Sequence, residues 1–277
     1  MDNTCNIILL TILAISGTLV WPHWSAIPYF VIGGLCANLF GRLTLVPVIN
    51  YLGAARAGVL GLSSPIASLV LGMLLLGERP NLIVFSGLIL ILMGLFFIAF
   101  EQKGEQDAKN KDLKGFVPVH FKEKGMPKKW VNSVYFYVFL GMLSGVLYGV
   151  SSYIRKLGLN ISSTIIPSVA IGSFSSLIVA LVYVLITDKD ISFRKIPDVL
   201  KNKDYVFAGL LTACAQYSFF AALSMTMVSI ANMIKSTSPL FTITLSRVLL
   251  QDLEAISKKV FLFCFIIVLG AVLIAIG

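Results

Sequence analysis

Apolar residues along this chain come in blocks, not in alternation. Nine blocks, at about 5–20, 27–49, 54–76, 82–100, 134–155, 166–187, 205–224, 226–249 and 259–276, each predict a helix. A hydrocarbon core of about 30 Å takes about 20 helical residues, and these blocks have that scale. Pro22, Pro28, Pro80 and the region of Gly53 mark short turns between them. One long stretch breaks the pattern: residues 101–133, rich in Lys, Glu, Asp and Gln, read as a solvated linker. The expected fold class is an all-α polytopic membrane protein.

Composition strengthens this reading. Of the 277 residues, 57% are hydrophobic and 13% charged, and the mean hydropathy is +0.91. A soluble domain carries about 25% charged residues. The net charge of +9 does not point to nucleic acid, because most Lys and Arg fall between the apolar blocks. With strict alternation, one side of the membrane collects 16 basic residues: Arg56, eight linker lysines, five of 188–204, Lys258 and Lys259. The other side collects three: Arg79, Arg155 and Lys156. The richer side is cytoplasmic by the positive-inside rule, which predicts N-in, C-out in the cell membrane with 101–133 cytoplasmic. The four cysteines (Cys5, Cys36, Cys214 and Cys264) lie in apolar blocks without metal-ligand spacing, so they read as packing. No metal or other cofactor is expected. The first apolar block has neither a basic flank before it nor a small-residue cleavage site after it, so it does not read as a signal peptide.

The chain also contains an internal repeat. Residues 29–100 begin "YFVIGGLCANLF", and residues 205–276 begin "YVFAGLLTACAQ". Ser64-Pro65 aligns with Ser238-Pro239, and Glu78 and Asp252 each follow their proline by 13 residues. Gly94 then aligns with Gly270. The span at 5–20 matches 166–187, but nothing matches the span that opens at 134. The expected division is an incomplete four-helix repeat at 1–100, the linker 101–133, and a five-helix repeat at 134–277. A chain that starts partway through its first repeat explains this, and a genuine nine-helix form is the other reading. An odd helix count per repeat makes the halves run oppositely through the membrane, the inverted construction of many secondary transporters.

A Ser-Pro helix ending in Gly-Glu and followed by a Gly-containing apolar helix, twice over, resembles the EamA-type branch of the drug/metabolite transporter superfamily. The stretch "GMLSGVLYGVSSYIRKLGL" is similar to that family's repeat-opening helix, which often ends in a basic pair. The resemblance implies a ten-helix carrier of two five-helix repeats that moves small metabolites such as amino acids, sugars or nucleotide-linked compounds. Three features depart from it: the absent first helix, Gln251-Asp252 in place of Gly-Glu, and the long linker. It also implies two cytoplasmic termini, whereas the bias of 16 to three places the C-terminus outside.

Charges inside the predicted spans are few: Arg42, Lys235 and Arg247. Each costs about 2.5–3.5 kcal/mol at a helix centre, so each requires a partner or a water-filled cavity. Arg247 is near a helix end and can snorkel. Asn232, Lys235, Ser238, Thr242 and Ser246 are spaced 3, 3, 4 and 4 apart, one polar stripe on one helix face. The aligned positions of the first repeat are Gly58, Gly61, Ser64, Ser68 and Gly72. Either the stripe contacts substrate, or it is a helix–helix seam with Lys235 bonded to a backbone carbonyl. Arg42 has Asn38 one turn before it and Pro47 five residues after, where the missing N–H opens the helix. Arginine suits bidentate capture of carboxylate or phosphate. Together Arg42 and Lys235 are expected to hold an anionic group.

Gln216 and Tyr217, with Tyr148, Ser151 and Ser152, are placed to line a cavity or to anchor at the interface. The candidate substrate-binding set is therefore Lys235, Arg42, Asn232, Ser238, Asn38, Gln216, Thr242 and Tyr148. Ser64, Pro65, Glu78, Pro239 and Asp252 are read as structural motif positions. None of the 13 Asp and Glu lies within a span, which speaks against carboxylate-coupled transport, and His23 and His120 fall outside the spans. The leading function is secondary transport of a small metabolite by alternating access, with the bilayer and the solute as partners, no nucleic acid, and no oligomeric state legible. A non-transporting binding or assembly protein, or a truncated fragment, is the alternative. A membrane-embedded enzyme ranks last, for want of an acid–His or Cys–His grouping or a phosphate-binding Gly loop.

Overall fold

The structure, a computed structural model, describes residues 20–52, 57, 60–61, 63–109, 134–187, 203–237 and 258–276. Secondary structure among the described residues is entirely helical. A 3-10 turn at Trp24–Ala26 leads into α1 (Ile27–Gly34), a π-helical stretch at Leu35–Gly41, and α2 (Arg42–Leu52). There follow α3 (Ser63–Leu75), α4 (Leu82–Lys109), α5 (Val134–Ile161) and α6 (Ile165–Thr187). Then come α7 (Lys203–Met225), α8 (Val228–Lys235) and α9 (Lys258–Ile276). The expected span at 5–20 lies outside the described residues apart from its last position.

Among the described residues, three stretches are long and apolar enough to cross a membrane: Trp24–Ile49, Tyr135–Ile161 and Ile165–Val182, of 26, 27 and 18 residues. Across the described helices, small polar side chains are buried while many large apolar ones face outward. Ser144, Ser151, Ser152, Ser168, Ser229 and Asn232 are buried, while Phe139, Leu210, Leu211, Leu262 and Phe265 are exposed. Large apolar side chains facing outward suit lipid, and small hydroxyl residues inside allow helices to approach closely.

Local chemistry explains the helix boundaries. The His23 ring accepts the Ser25 N–H at 3.4 Å, and Pro28 sits in the first turn of α1, where its missing N–H costs nothing. The chain before this turn is tied to the end of α5 by the His23 N–H, which donates to Ser162 Oγ at 3.3 Å. Two helices run past their expected ends. α4 runs nine residues past the predicted end at Phe100, through "EQKGEQDAK" to Lys109. Hydropathy ends at the membrane, but Glu, Gln, Lys and Ala are strong helix formers and carry the helix on. α5 runs to Ile161, six residues past its predicted end at Arg155, so Arg155 and Lys156 lie inside a helix and not in a loop.

The chain forms two compact units, one from the described residues of 20–42 and 150–231, the other from those of 43–149 and 232–276. In the first unit α1 packs against α6, with Gly34 facing the backbone of Gly172. Gly158 of α5 receives the Phe30 ring.

In the second unit α5 presents Gly141, Gly145 and Gly149, one turn apart, to the start of α3. A Cβ at Gly149 would lie 2.7 Å from Ser64 O and 2.8 Å from Ala67 Cβ, so only glycine admits this approach. Ser63 Oγ donates to Leu60 O at 2.7 Å and Met142 O at 3.1 Å, fastening the Ser-Pro turn to α5. Tyr51 stacks on Tyr137 with centroids 3.9 Å apart, beside buried Val48 and Ala57.

α4 and α9 form a reciprocal pair in the same unit. Gly94 faces Ile267 and Phe263 O, and Gly270 faces Ile91 and Gly87 O. Gly94, Ile91 and Gly87 have the same spacing along α4 as Gly270, Ile267 and Phe263 along α9. Each helix thus sets a glycine against an isoleucine and a backbone carbonyl of the other.

Candidate functional site

The Gly-Glu end of the first Ser-Pro helix is a C-cap. Gly77 has φ +65°, the left-handed conformation that closes helices without a Cβ penalty. The turn directs the Leu76 N–H (3.2 Å) and Glu78 N–H (3.0 Å) to Gly72 O, and folds the Glu78 carboxylate back over Gly72. A Cβ at Gly72 would collide with that carboxylate. A Cβ at Gly77 meets nothing within 4 Å, so Gly77→Ala isolates the backbone term. The expected loss is about 1–2 kcal/mol, read as a lower midpoint of thermal unfolding.

α8 carries the feature that most distinguishes the second unit. The pattern predicts one helix over 226–249, but α8 ends at Lys235 and turns at 236–237. Ser236 N–H and Oγ both donate to Asn232 O, at 2.9 and 2.7 Å. Thr237 N–H and Oγ1 donate to Ile234 O at 3.0 and 2.7 Å, the tighter winding of a terminating helix. The sequence contains the reason: Pro239 has no N–H for the Lys235 carbonyl, and its ring disfavours helical Ser238. Lys235 therefore stands at a helix C-terminus, where the dipole favours a cation.

The Lys235 ammonium lies 5.8 Å from the centroid of the Tyr148 ring on α5. Such a cation–π contact is worth about 0.5–1 kcal/mol at an exposed site. Lys235 is exposed, whereas Asn232, one turn back, is 1% exposed. Three of the eight sequence-derived candidates, Lys235, Tyr148 and Asn232, thus belong to the second unit, and Lys235 and Tyr148 are in contact. Arg42, Asn38 and Gln216 belong to the first unit. Arg42 is exposed and closes the π-helical stretch, its N–H donating to Leu39 O, and Asn38 is half-buried inside that stretch. The helix therefore opens on the N-terminal side of Arg42, away from Pro47. Gln216 and Tyr217 are half-buried on α7. Ser151 donates to Gly33 O at 2.7 Å, and Ser152 is buried. Ser238, Pro239, Thr242, Ser246, Arg247 and Asp252 lie outside the described residues.

Sequence reasoning missed the basic pair. Arg155 is 6% exposed, its guanidinium 5.1 Å from the Phe220 centroid and its stem against Gly33. Lys156 reaches the end of α7. The overlooked signal is "LGLNI" after the pair: apolar positions continue at Leu157, Leu159 and Ile161, and no proline occurs before Ser162.

These helices align with known proteins. A solved crystal structure superposes with a TM-score of 0.65 at 14% identity, covering 99% of this chain and 83% of that one. That likeness shows the fold alone. No curated protein matches the chain. The family model of EamA-like transporters matches residues 4–100 and again 135–276, leaving out the whole charged stretch between. The two matched regions are those in which the two Ser-Pro sequences, the Gly77-Glu78 cap and the reciprocal glycines occur. By this match the chain belongs to the EamA-like transporter family, and is an integral membrane protein of the drug/metabolite transporter superfamily.

Proposed function

We propose that the protein is a secondary carrier of a small anionic metabolite, working by alternating access between two inverted repeats. Membership of a transporter family supports the transport class, and the exposed Lys235 ammonium over Tyr148 carries the anionic reading. A cation held on a membrane helix is stabilised when a ligand brings the opposite charge. None of the chain's Asp or Glu lies in the apolar blocks, which speaks against a carboxylate as the coupling group. Asn232, Tyr148 and, where the stripe continues, Ser238 and Thr242 supply neutral hydrogen-bonding groups.

The repeat reading is supported by the reciprocal contacts of α4 and α9, which relate the two matched regions by equal spacings. Residues 101–133 form the cytoplasmic connection in this scheme, in the cell membrane. Purified protein in liposomes tests the proposal. A panel of carboxylate and phosphate metabolites should include at least one whose uptake is accelerated by the same unlabelled solute inside. Such counterflow is the signature of a carrier that returns loaded. Uptake that saturates without counterflow, or no flux for any anion in folded protein, would end this reading.

A further inference from the structure

The last turn of α7 accounts for its carbonyls one by one. Ala221 O accepts the Ser224 hydroxyl at 2.7 Å. Ala222 O accepts the Thr226 N–H at 2.9 Å and the Thr226 hydroxyl at 2.7 Å. The Leu223, Ser224 and Thr226 carbonyls then converge on one group, the ammonium of Lys156, at 2.7, 3.4 and 2.9 Å. Helix ends leave such carbonyls without intrahelical donors, and here the donor comes from a different helix, α5. Three oxygens meet a group with three N–H bonds.

The chemistry of this cluster is specific. Its oxygens are neutral carbonyls at the negative end of a helix dipole, a donor set suited to a single positive charge. Unwound helix ends bind sodium with such carbonyls in carriers. Hard divalent ions take carboxylates instead, and none of the three oxygens is one. The adjacent Arg155 lies over Phe220, so the two neighbouring cations have separate tasks. A compact ammonium with diverging donors fits the carbonyl cluster, and a planar guanidinium fits an aromatic face.

We propose that Leu223, Ser224 and Thr226 form a monovalent-cation site that the chain fills with its own Lys156. The tethered ammonium closes the elbow at 226–227 between α7 and α8. With the side chain removed, the site takes a free cation of the same charge, either a primary alkylammonium or an alkali-metal ion. This site lies wholly in the first unit and does not depend on which solute is carried.

Thermal unfolding of purified protein in matched choline, sodium, potassium and ethylammonium chlorides tests the proposal. The wild-type midpoint should be the same in all four. For Lys156→Ala the midpoint in choline should fall by about 5 °C, since hydrogen bonds to a charged group are lost. Ethylammonium, or sodium or potassium, should restore at least half of that fall. Lys156→Met keeps the apolar stem in place and should show the same fall with little rescue. An unchanged Lys156→Ala midpoint, or an equal fall in all four salts, overturns the proposal and leaves an ordinary brace. Should Lys156→Ala not survive extraction in choline, extraction in ethylammonium chloride becomes the measurement. Recovery of folded protein there supports the site, and failure there overturns it.

Discussion

Lys235→Ala is expected to weaken binding of the best anion in the flux panel by about 10- to 100-fold, because a hydrogen bond to a charged group is worth about 1.5–3 kcal/mol. Neutral analogues of the same size should lose little. The loss should fall on affinity in purified, folded protein and not on protein yield, since Lys235 is exposed. Lys235→Arg should keep most of the affinity, as the charge survives at the same helix end. Tyr148 separates the ring from its hydroxyl. Tyr148→Phe keeps the face 5.8 Å from the ammonium, whereas Tyr148→Leu removes it and should lose about two- to five-fold, in line with about 0.5–1 kcal/mol for the contact. Should Lys235→Ala bind the anion as tightly as wild type, the lysine serves only the α8 terminus.

Gly34→Ala has the second large effect, on stability. A methyl group at Gly34 collides with the carbonyl and Cα of Gly172, which belong to the backbone of α6 and cannot rotate away. Overpacking costs about 1–3 kcal/mol where side chains yield, and more is expected where a helix has to move. The gain in helix propensity, about 1 kcal/mol for Gly to Ala, does not offset this. The expected result is a midpoint several degrees lower and less folded protein after extraction. Two controls share the chemistry. Gly172→Ala faces nearest atoms at 3.1 and 3.4 Å, so it should lose less. Gly61→Ala meets nothing within 4 Å and should be neutral or stabilising. Equal behaviour of all three would mean that the α1–α6 crossing is looser than the structure shows.

Much of this was legible in the sequence because membrane helices announce themselves by hydropathy. The apolar blocks gave α6, α7 and α9 to within two residues. Hydropathy reads the bilayer, however, and not the helix. It therefore stopped α4 at Phe100, although "EQKGEQDAK" favours helix in water, and stopped α5 at a basic pair that the structure holds inside. Pro239 was visible, but its effect one turn upstream, at the Lys235 carbonyl, was not drawn from it. The spacing of Gly141, Gly145 and Gly149 was equally plain in "GMLSGVLYG", and it is the pattern of a close helix crossing. At the candidate site the polar stripe of 232–246 pointed to Lys235 and Asn232. No one-dimensional pattern paired Lys235 with Tyr148, since the contact depends on how α5 and α8 pack. Lys156 illustrates the same limit: its three acceptors lie 67 to 70 residues away and are backbone atoms, which leave no residue signature.

The reciprocal packing of α4 and α9 has a consequence for how this chain tolerates change. Gly94 rests on Ile267 while Gly270 rests on Ile91, so each contact couples a position in one matched region to a position in the other. A bulkier residue at 94 calls for a smaller one at 267, and the mirror-image exchange is the one between 270 and 91. Neither helix can change independently along this line: a side chain enlarged on one sets the room left on the other.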